Sequence, residues 1–147
     1  MEITLPESSL FLLFFTSNID TMDSELKSGE VSEKEEQFIL NCVNKMGFYD
    51  DFYSQTQLES AIAKYENVKG GSVDQDDFIE QCAEILLSSP PDRDMTFYLC
   101  IKILFLEGKP KESDELYLGN LERILEVNPA VADVCYGIET LNRILYE

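Results

Sequence analysis

The stretch FLEGKPKESDEL, residues 105–116, joins an apolar helical segment to an acidic one through a glycine. Gly108 directly follows Glu107, and Asp114 and Glu115 open the next amphipathic segment. Glycine commonly ends helices because it adopts left-handed backbone angles, and the helix dipole favours acids in a first turn. The stretch therefore predicts a helix, a turn and a second helix.

The same pattern occurs earlier in the chain, in GEVSEKEEQFIL at residues 29–40. A shift that places Gly29 on Gly108 also aligns the acidic and apolar positions that follow. It pairs Glu35 with Asp114, Glu36 with Glu115, Phe38 with Tyr117, Ile39 with Leu118, Cys42 with Leu121 and Met46 with Leu125. This repetition indicates an internal duplication, with halves at approximately residues 8–67 and 92–147.

Apolar residues recur at three and four positions along the chain, and no stretch alternates long enough to predict a strand. We therefore predict an all-α fold, one domain over residues 1–147, as a compact bundle of about seven helices with a pseudo-twofold relation between the halves. The expected helices run from near Pro6 to about Ile19, from Ser32 to Gly47, from about Thr56 to Tyr65, from about Asp74 to before Pro90, from near Asp92 through Phe105, from about Ser113 to Glu126, and from Asn128-Pro129 onward. The segment Thr21–Lys27 is compatible with a helix or a loop.

Four further expectations concern these helices. The Gly70-Gly71 pair should break the chain after the third helix, and Pro90-Pro91 should form a linker. The fifth helix is apolar on more than one face, which predicts a central position with neighbours on several sides. The last helix should bury one stripe, formed by Val131, Val134, Cys135, Ile138, Leu141 and Leu145.

The charge of the chain restricts its partners. It carries 29 acidic and 11 basic side chains, for a formal net charge of −18. Such a field repels nucleic acid and anionic membranes and attracts cations or basic protein surfaces. The longest apolar run, Leu10–Phe15, is too short to insert into a membrane, and no basic segment precedes it as in a signal peptide. We expect a cytoplasmic protein.

The chain contains no histidine, which excludes Ser-His and Cys-His nucleophile pairs. The four cysteines, Cys42, Cys82, Cys100 and Cys135, lie far apart in apolar segments and are expected to be buried free thiols. Tyr98 and Lys102 share a face of the fifth helix, but we identify no partner that would form an acid–base pair with them. The sequence thus predicts a protein without enzymatic activity.

The repeated motif resembles the TerB-like family, the tellurite-resistance helical domain also found at the N-terminus of a membrane-anchored DnaJ-like co-chaperone. The family pattern is an apolar helix ending in Asp-Gly, a short turn, and a helix that opens with Glu, present twice. The second copy here, residues 103–118, matches with Glu107 in place of Asp. In the first copy Ser28 stands at that position; Asp20 takes the role if Thr21–Ser28 is an insertion, and Asp23 is the other candidate.

The resemblance implies that the acids of both copies bind a metal. Carried over position by position, the ligand set is Asp20, Glu35 or Glu36, Glu107, and Asp114 or Glu115. Hard cations such as Ca²⁺ and Mg²⁺ prefer oxygen ligands, so these metals are favoured over Zn²⁺ in a chain without histidine. The alternative is that each acid simply interacts with the dipole of its own helix.

Two functions follow as expectations. The first is a non-catalytic TerB-like domain that binds a divalent cation or a protein partner in a tellurite-resistance or related stress-response setting, where the setting is implied by the resemblance. The second is a metal-free interaction module that uses its negative field to recognise a basic protein surface.

Overall fold

The computed structural model describes residues 4–22, 33–46, 55–70, 75–106 and 112–146, and within them the chain is all-α, with seven helices and no strand. The helices are α1 (Leu5–Met22), α2 (Glu33–Met46), α3 (Gln55–Gly70), α4 (Gln75–Leu86), α5 (Pro90–Phe105), α6 (Glu112–Ile124) and α7 (Pro129–Tyr146). The predicted fold class is confirmed.

Two helix boundaries differ from the prediction. Pro90 and Pro91 occupy the first two positions of α5 and do not form a linker. Proline is tolerated there because first-turn N–H groups have no partner within the helix. Helix α3 continues to Gly70, beyond the predicted end at Tyr65. In the open segment, Thr21 belongs to α1, while residues 23–27 lie outside the described part of the chain.

The start of α7 is confirmed at Asn128-Pro129. The backbone N–H of Ala130 donates to the side-chain oxygen of Asn128 at 2.9 Å, and the N–H of Ala132 donates to its carbonyl at 3.0 Å. Asn128 is thus the N-cap that satisfies an otherwise unpaired donor of the first turn. The cap of α2 predicted at Ser32 lies outside the described residues.

The core is centred on two helices, α1 and α5. Every residue from Ser8 to Ser17 is buried, because α2, α3, α4 and α5 all pack around α1. The expected central role of α5 is confirmed by its buried residues on several faces and its contacts with α1, α2, α4, α6 and α7. An aromatic group fills the space between α1, α3 and α4: Phe11, Phe14, Tyr65 and Phe78 have ring centroids 5.5–6.4 Å apart.

The first helices of the two predicted repeats, α1 and α5, lie side by side and run in the same direction. Ser9 is hydrogen-bonded to Thr96 at 2.7 Å, and further along both helices Thr16 lies against the Cys100 thiol. Their C-terminal ends therefore lie at the same end of the bundle. Among the described helices, none is long and apolar enough to cross a membrane.

Candidate functional site

Four helix ends that carry or adjoin the predicted metal ligands meet at one end of the bundle. Lys34, in the first turn of α2, donates to the carbonyl of Leu106 at 3.0 Å and so lies at the end of α5. Thr16 of α1 is hydrogen-bonded to Tyr117 of α6 at 2.9 Å. We call this region, where α1 and α5 end and α2 and α6 begin, the acidic end.

The predicted ligands belong to these helix ends. Asp20 is in α1, one turn beyond Thr16, and Glu35 and Glu36 are in the first turn of α2. Glu107 follows Leu106 in the sequence. The side chains of Asp20 and Glu35, together with the whole of Glu107, lie outside the described part of the chain, and Glu36 is half-buried.

The two acids of the second repeat, Asp114 and Glu115, differ in their exposure to solvent. Asp114 is only 1% exposed, whereas its neighbour Glu115 is exposed. An acid that merely interacts with a helix dipole has no need to leave the solvent, and burying a carboxylate is costly unless it is compensated. Of the alternatives Asp114 and Glu115, Asp114 is therefore the one directed into the protein.

In the described residues, no group of three or more acidic, cysteine or histidine side chains is arranged to hold a metal. The thiols do not contribute either. All four cysteines are buried and none of them forms a disulfide, as predicted. Burial raises the pKa of the Cys82 thiol to about 12. The same effect raises the pKa of Cys100 to about 12, although its hydrogen bond with Thr16 lowers it, so neither thiol supplies a thiolate at neutral pH.

A polar cluster between α5 and α7 was missed by the sequence analysis, which identified no partner for Tyr98 and Lys102. Glu139 of α7 accepts hydrogen bonds from Tyr98 Oη at 2.8 Å and from Lys102 Nζ at 2.7 Å. The signal was present in the sequence, since Glu139 follows Cys135 by one helical turn and Ala132 by two. A carboxylate on the buried face of a helix needs a hydrogen-bond or ion-pair partner.

The pKa values of Tyr98 and Lys102 are both shifted away from neutrality. Burial and the Glu139 carboxylate raise the pKa of Tyr98. Burial lowers the pKa of Lys102, but its bonds to Glu139 and Tyr98 outweigh this effect and the net shift is upward. Neither group therefore has the pKa close to 7 that a general base near neutral pH would need. Their hydrogen bonds to Glu139 link α5 to α7.

The buried stripe predicted for α7 is wrong in three of its six positions. Val134, Ile138 and Leu141 are exposed, and the face that is turned towards α5 includes Ala132, Cys135, Tyr136 and Glu139. The pattern has two apolar faces, and the bonds of Glu139 to α5 determine which of them turns inward. Of the remaining positions, Cys135 is buried as predicted and Val131 is half-buried, while the side chain of Leu145 lies outside the described part of the chain.

No protein-family model, no curated protein and no solved structure matches this chain.

Proposed function

We propose that the chain is a non-catalytic, cytoplasmic TerB-like domain that binds a divalent cation, Ca²⁺ or Mg²⁺ in preference to Zn²⁺, at the acidic end. The observation that supports the proposal is the burial of Asp114 where α1, α2, α5 and α6 meet. Carboxylates gathered from two repeats repel one another, and a hard cation with oxygen ligands removes this repulsion. The tellurite-resistance or stress-response setting follows from the resemblance alone.

The test is thermal unfolding in chelator and then with millimolar Ca²⁺, Mg²⁺ or Mn²⁺. A cation that binds only the folded state stabilises it by about 2.7 kcal/mol at 100 times its Kd, which should raise the Tm by several degrees. NaCl at matched ionic strength controls for general screening of the negative charge. An unchanged Tm at millimolar cation would refute the proposal.

Asp114→Asn and Glu115→Gln form a matched pair, because each removes one negative charge from the same turn of α6. We expect Asp114→Asn to abolish the cation-dependent increase in Tm and Glu115→Gln to preserve it. Since Asp114→Asn also changes a buried side chain, calorimetric titration of the folded variant with the cation gives a second measurement. Equal responses from both variants would assign the effect to overall charge.

The second candidate function is a metal-free module that recognises a basic protein surface. The exposed acids at the start of α6, Glu112 and Glu115, and the net charge of −18 favour it. Partner binding would then persist in chelator and weaken steeply as salt is raised. Loss of binding in chelator would contradict it.

A further inference from the structure

Helix α7 presents a row of aliphatic side chains to the solvent. Val134, Ile138 and Leu141 are 60%, 43% and 56% exposed and follow one another at four and three positions. A surface helix normally carries polar residues on its solvent side, and a contiguous exposed apolar row marks an interaction site. The opposite face of α7 is already buried on α5, so packing within the described bundle does not account for this row.

The spacing of the row indicates the shape of its partner. Val131, one turn before Val134, is half-buried because it packs partly against the core, and it forms the edge of the row at residues 131, 134, 138 and 141. Alternating steps of three and four place these residues at the a and d positions of a heptad, where side chains pack against another helix. We name the four residues the α7 outer face; its geometry suits an α-helix.

Acids also lie on and near α7. Asp133 is exposed on α7 itself. Burial raises the pKa of Tyr136 to about 12, with a further contribution from the nearby carboxylates of Glu122 and Glu115 on α6. Because Tyr136 packs on Phe97 of α5, these two acids lie on the α5 side of α7 and not beside the outer face. The exposed Asp133 and the net charge of −18 favour a partner with positive charge.

The cations described on the neighbouring helix do not offset these acids. On α5, Arg93 is paired with Asp94 at 3.2 Å, and Lys102 is paired with Glu139 at 2.7 Å. Two copies of a chain with a charge of −18 would repel each other at this face, and an anionic membrane would be repelled in the same way. The charge of the chain therefore favours a basic partner over a second copy of the chain.

We propose that the α7 outer face is the docking site for a basic amphipathic helix of another protein. The aliphatic row of that helix packs against Val134, Ile138 and Leu141, and its Lys or Arg side chains are attracted by Asp133 and by the net negative charge of the chain. The proposal does not depend on cation binding at the acidic end. It extends the second candidate function, recognition of a basic protein, by assigning the α7 outer face as the contact surface and an α-helix as the bound segment.

The probe is a fluorescent synthetic helix of about three heptads, with Leu at the a and d positions and Lys at the flanking positions. Anisotropy is measured in chelator, so that the result is independent of any cation site. A scrambled peptide of identical composition lacks the apolar row, and a second peptide carries Glu in place of Lys. We expect the first peptide to bind at physiological salt and both control peptides to bind at least about tenfold more weakly.

Substitutions to aspartate separate apolar docking from general attraction, because they add negative charge to the protein. Val134→Asp and Leu141→Asp should each weaken binding of the Lys peptide about tenfold or more. Leu116→Asp, on α6 at a position 71% exposed, adds the same charge outside the α7 outer face and should leave binding unchanged. Far-ultraviolet circular dichroism verifies that each variant is folded.

Three results would overturn the proposal. Equal binding of the scrambled peptide, or undiminished binding by the α7 variants, would show that attraction to the overall charge is sufficient. Equal binding of the Glu peptide would remove the requirement for a basic partner. A dimer in sedimentation that Leu141→Asp converts to a monomer would assign the face to a second copy of the chain.

Discussion

The ammonium group of Lys102 lies 2.7 Å from Oε1 of Glu139, and this contact joins α5 to α7 across an otherwise apolar interface. Tyr98 donates to the same oxygen, and Lys102 also lies 5.3 Å from the centre of the Tyr98 ring. Glu139 is buried, whereas Lys102 is partly open to solvent. The carboxylate is therefore the member of the group that depends most on its partners.

Glu139→Ala should destabilise the protein by about 2 kcal/mol, because it removes the acceptor for two side chains, one of them charged. The expected value is below that of a fully buried pair, since Lys102 can still reach water. Urea unfolding followed by circular dichroism measures the loss. Thr140→Ala, at the exposed neighbouring position, is the control and should change stability by less than about 0.5 kcal/mol. Similar losses for both would contradict the assigned role of Glu139.

Two buried serines of α1 should differ in their response to alanine, because only one of them has a hydrogen-bond partner in the described residues. Ser9 shares a hydrogen bond of 2.7 Å with Thr96, so Ser9→Ala should cost about 1 kcal/mol. The hydroxyl of Ser17 has no hydrogen-bond partner in the described part of the chain, and Ser17→Ala should be neutral or stabilising by up to about 1 kcal/mol. Urea unfolding of both variants provides the comparison, in which a costly Ser17→Ala would reveal an unrecognised partner.

The sequence predicts the helices well because their signals are local. Asn128 and Pro129 fix the start of α7 through one cap and one restrained dihedral angle, independently of the rest of the fold. Which face of a helix is buried, by contrast, depends on contacts with residues that are distant in sequence. Helix α7 has two faces that could be buried, and the choice depends on Tyr98 and Lys102, which lie far away in sequence.

The same distinction applies to the acidic end. The repeat predicts that two glycine turns are equivalent, and the contact of Lys34 with Leu106 brings the start of α2 to the end of α5. The burial of Asp114 beside an exposed Glu115 could not be predicted, because both acids occupy the first turn of the same helix. The choice of Asp20 over Asp23 stays a prediction.

The start of α1 should show a defined pH dependence. The N–H of Thr4 donates to Glu7 at 3.0 Å, the N–H of Glu7 donates to the Thr4 hydroxyl at 3.3 Å, and Lys64 of α3 is paired with Glu7. Burial raises the pKa of Glu7, but the bonds to Lys64 and Thr4 outweigh this effect, so the pKa lies below its ordinary value of 4.5. Because the pKa of Glu7 is lower in the folded state, the ionised carboxylate stabilises the protein fully when the pH is above the pKa of the unfolded chain. This contribution is lost as the pH falls through the pKa of the folded state.

We therefore expect Glu7→Gln to cost about 1 kcal/mol near neutral pH, a modest value because both members of the pair are partly exposed. The difference from the parent protein should fall towards zero as the pH falls through the lowered folded pKa of Glu7. Unfolding free energies of the parent, Glu7→Gln, Lys64→Met and the double variant at each pH isolate the coupling of the pair. A coupling that persists unchanged in acid would contradict the assignment.

The end of α6 contains a backbone conformation that glycine would adopt at lower cost. Glu126 has φ of 53°, in the left-handed region. The N–H of Val127 donates to the carbonyl of Glu122 at 3.1 Å, and the N–H of Glu126 donates to that of Arg123 at 3.2 Å, which is the bonding pattern of a Schellman cap. This pattern requires the left-handed residue, and an L side chain makes it unfavourable by about 1–2 kcal/mol.

Glu126→Gly should accordingly stabilise the protein by roughly 0.5–1 kcal/mol, since glycine removes the strain but increases the entropy of the unfolded chain. The variant also removes a negative charge from an acidic protein, so Glu126→Gln serves as the control for charge. Urea unfolding should place Glu126→Gly above Glu126→Gln in stability, and the difference between their free energies of unfolding isolates the backbone effect. If glutamine stabilised as much as glycine, charge alone would explain the gain and the strain at residue 126 would be negligible.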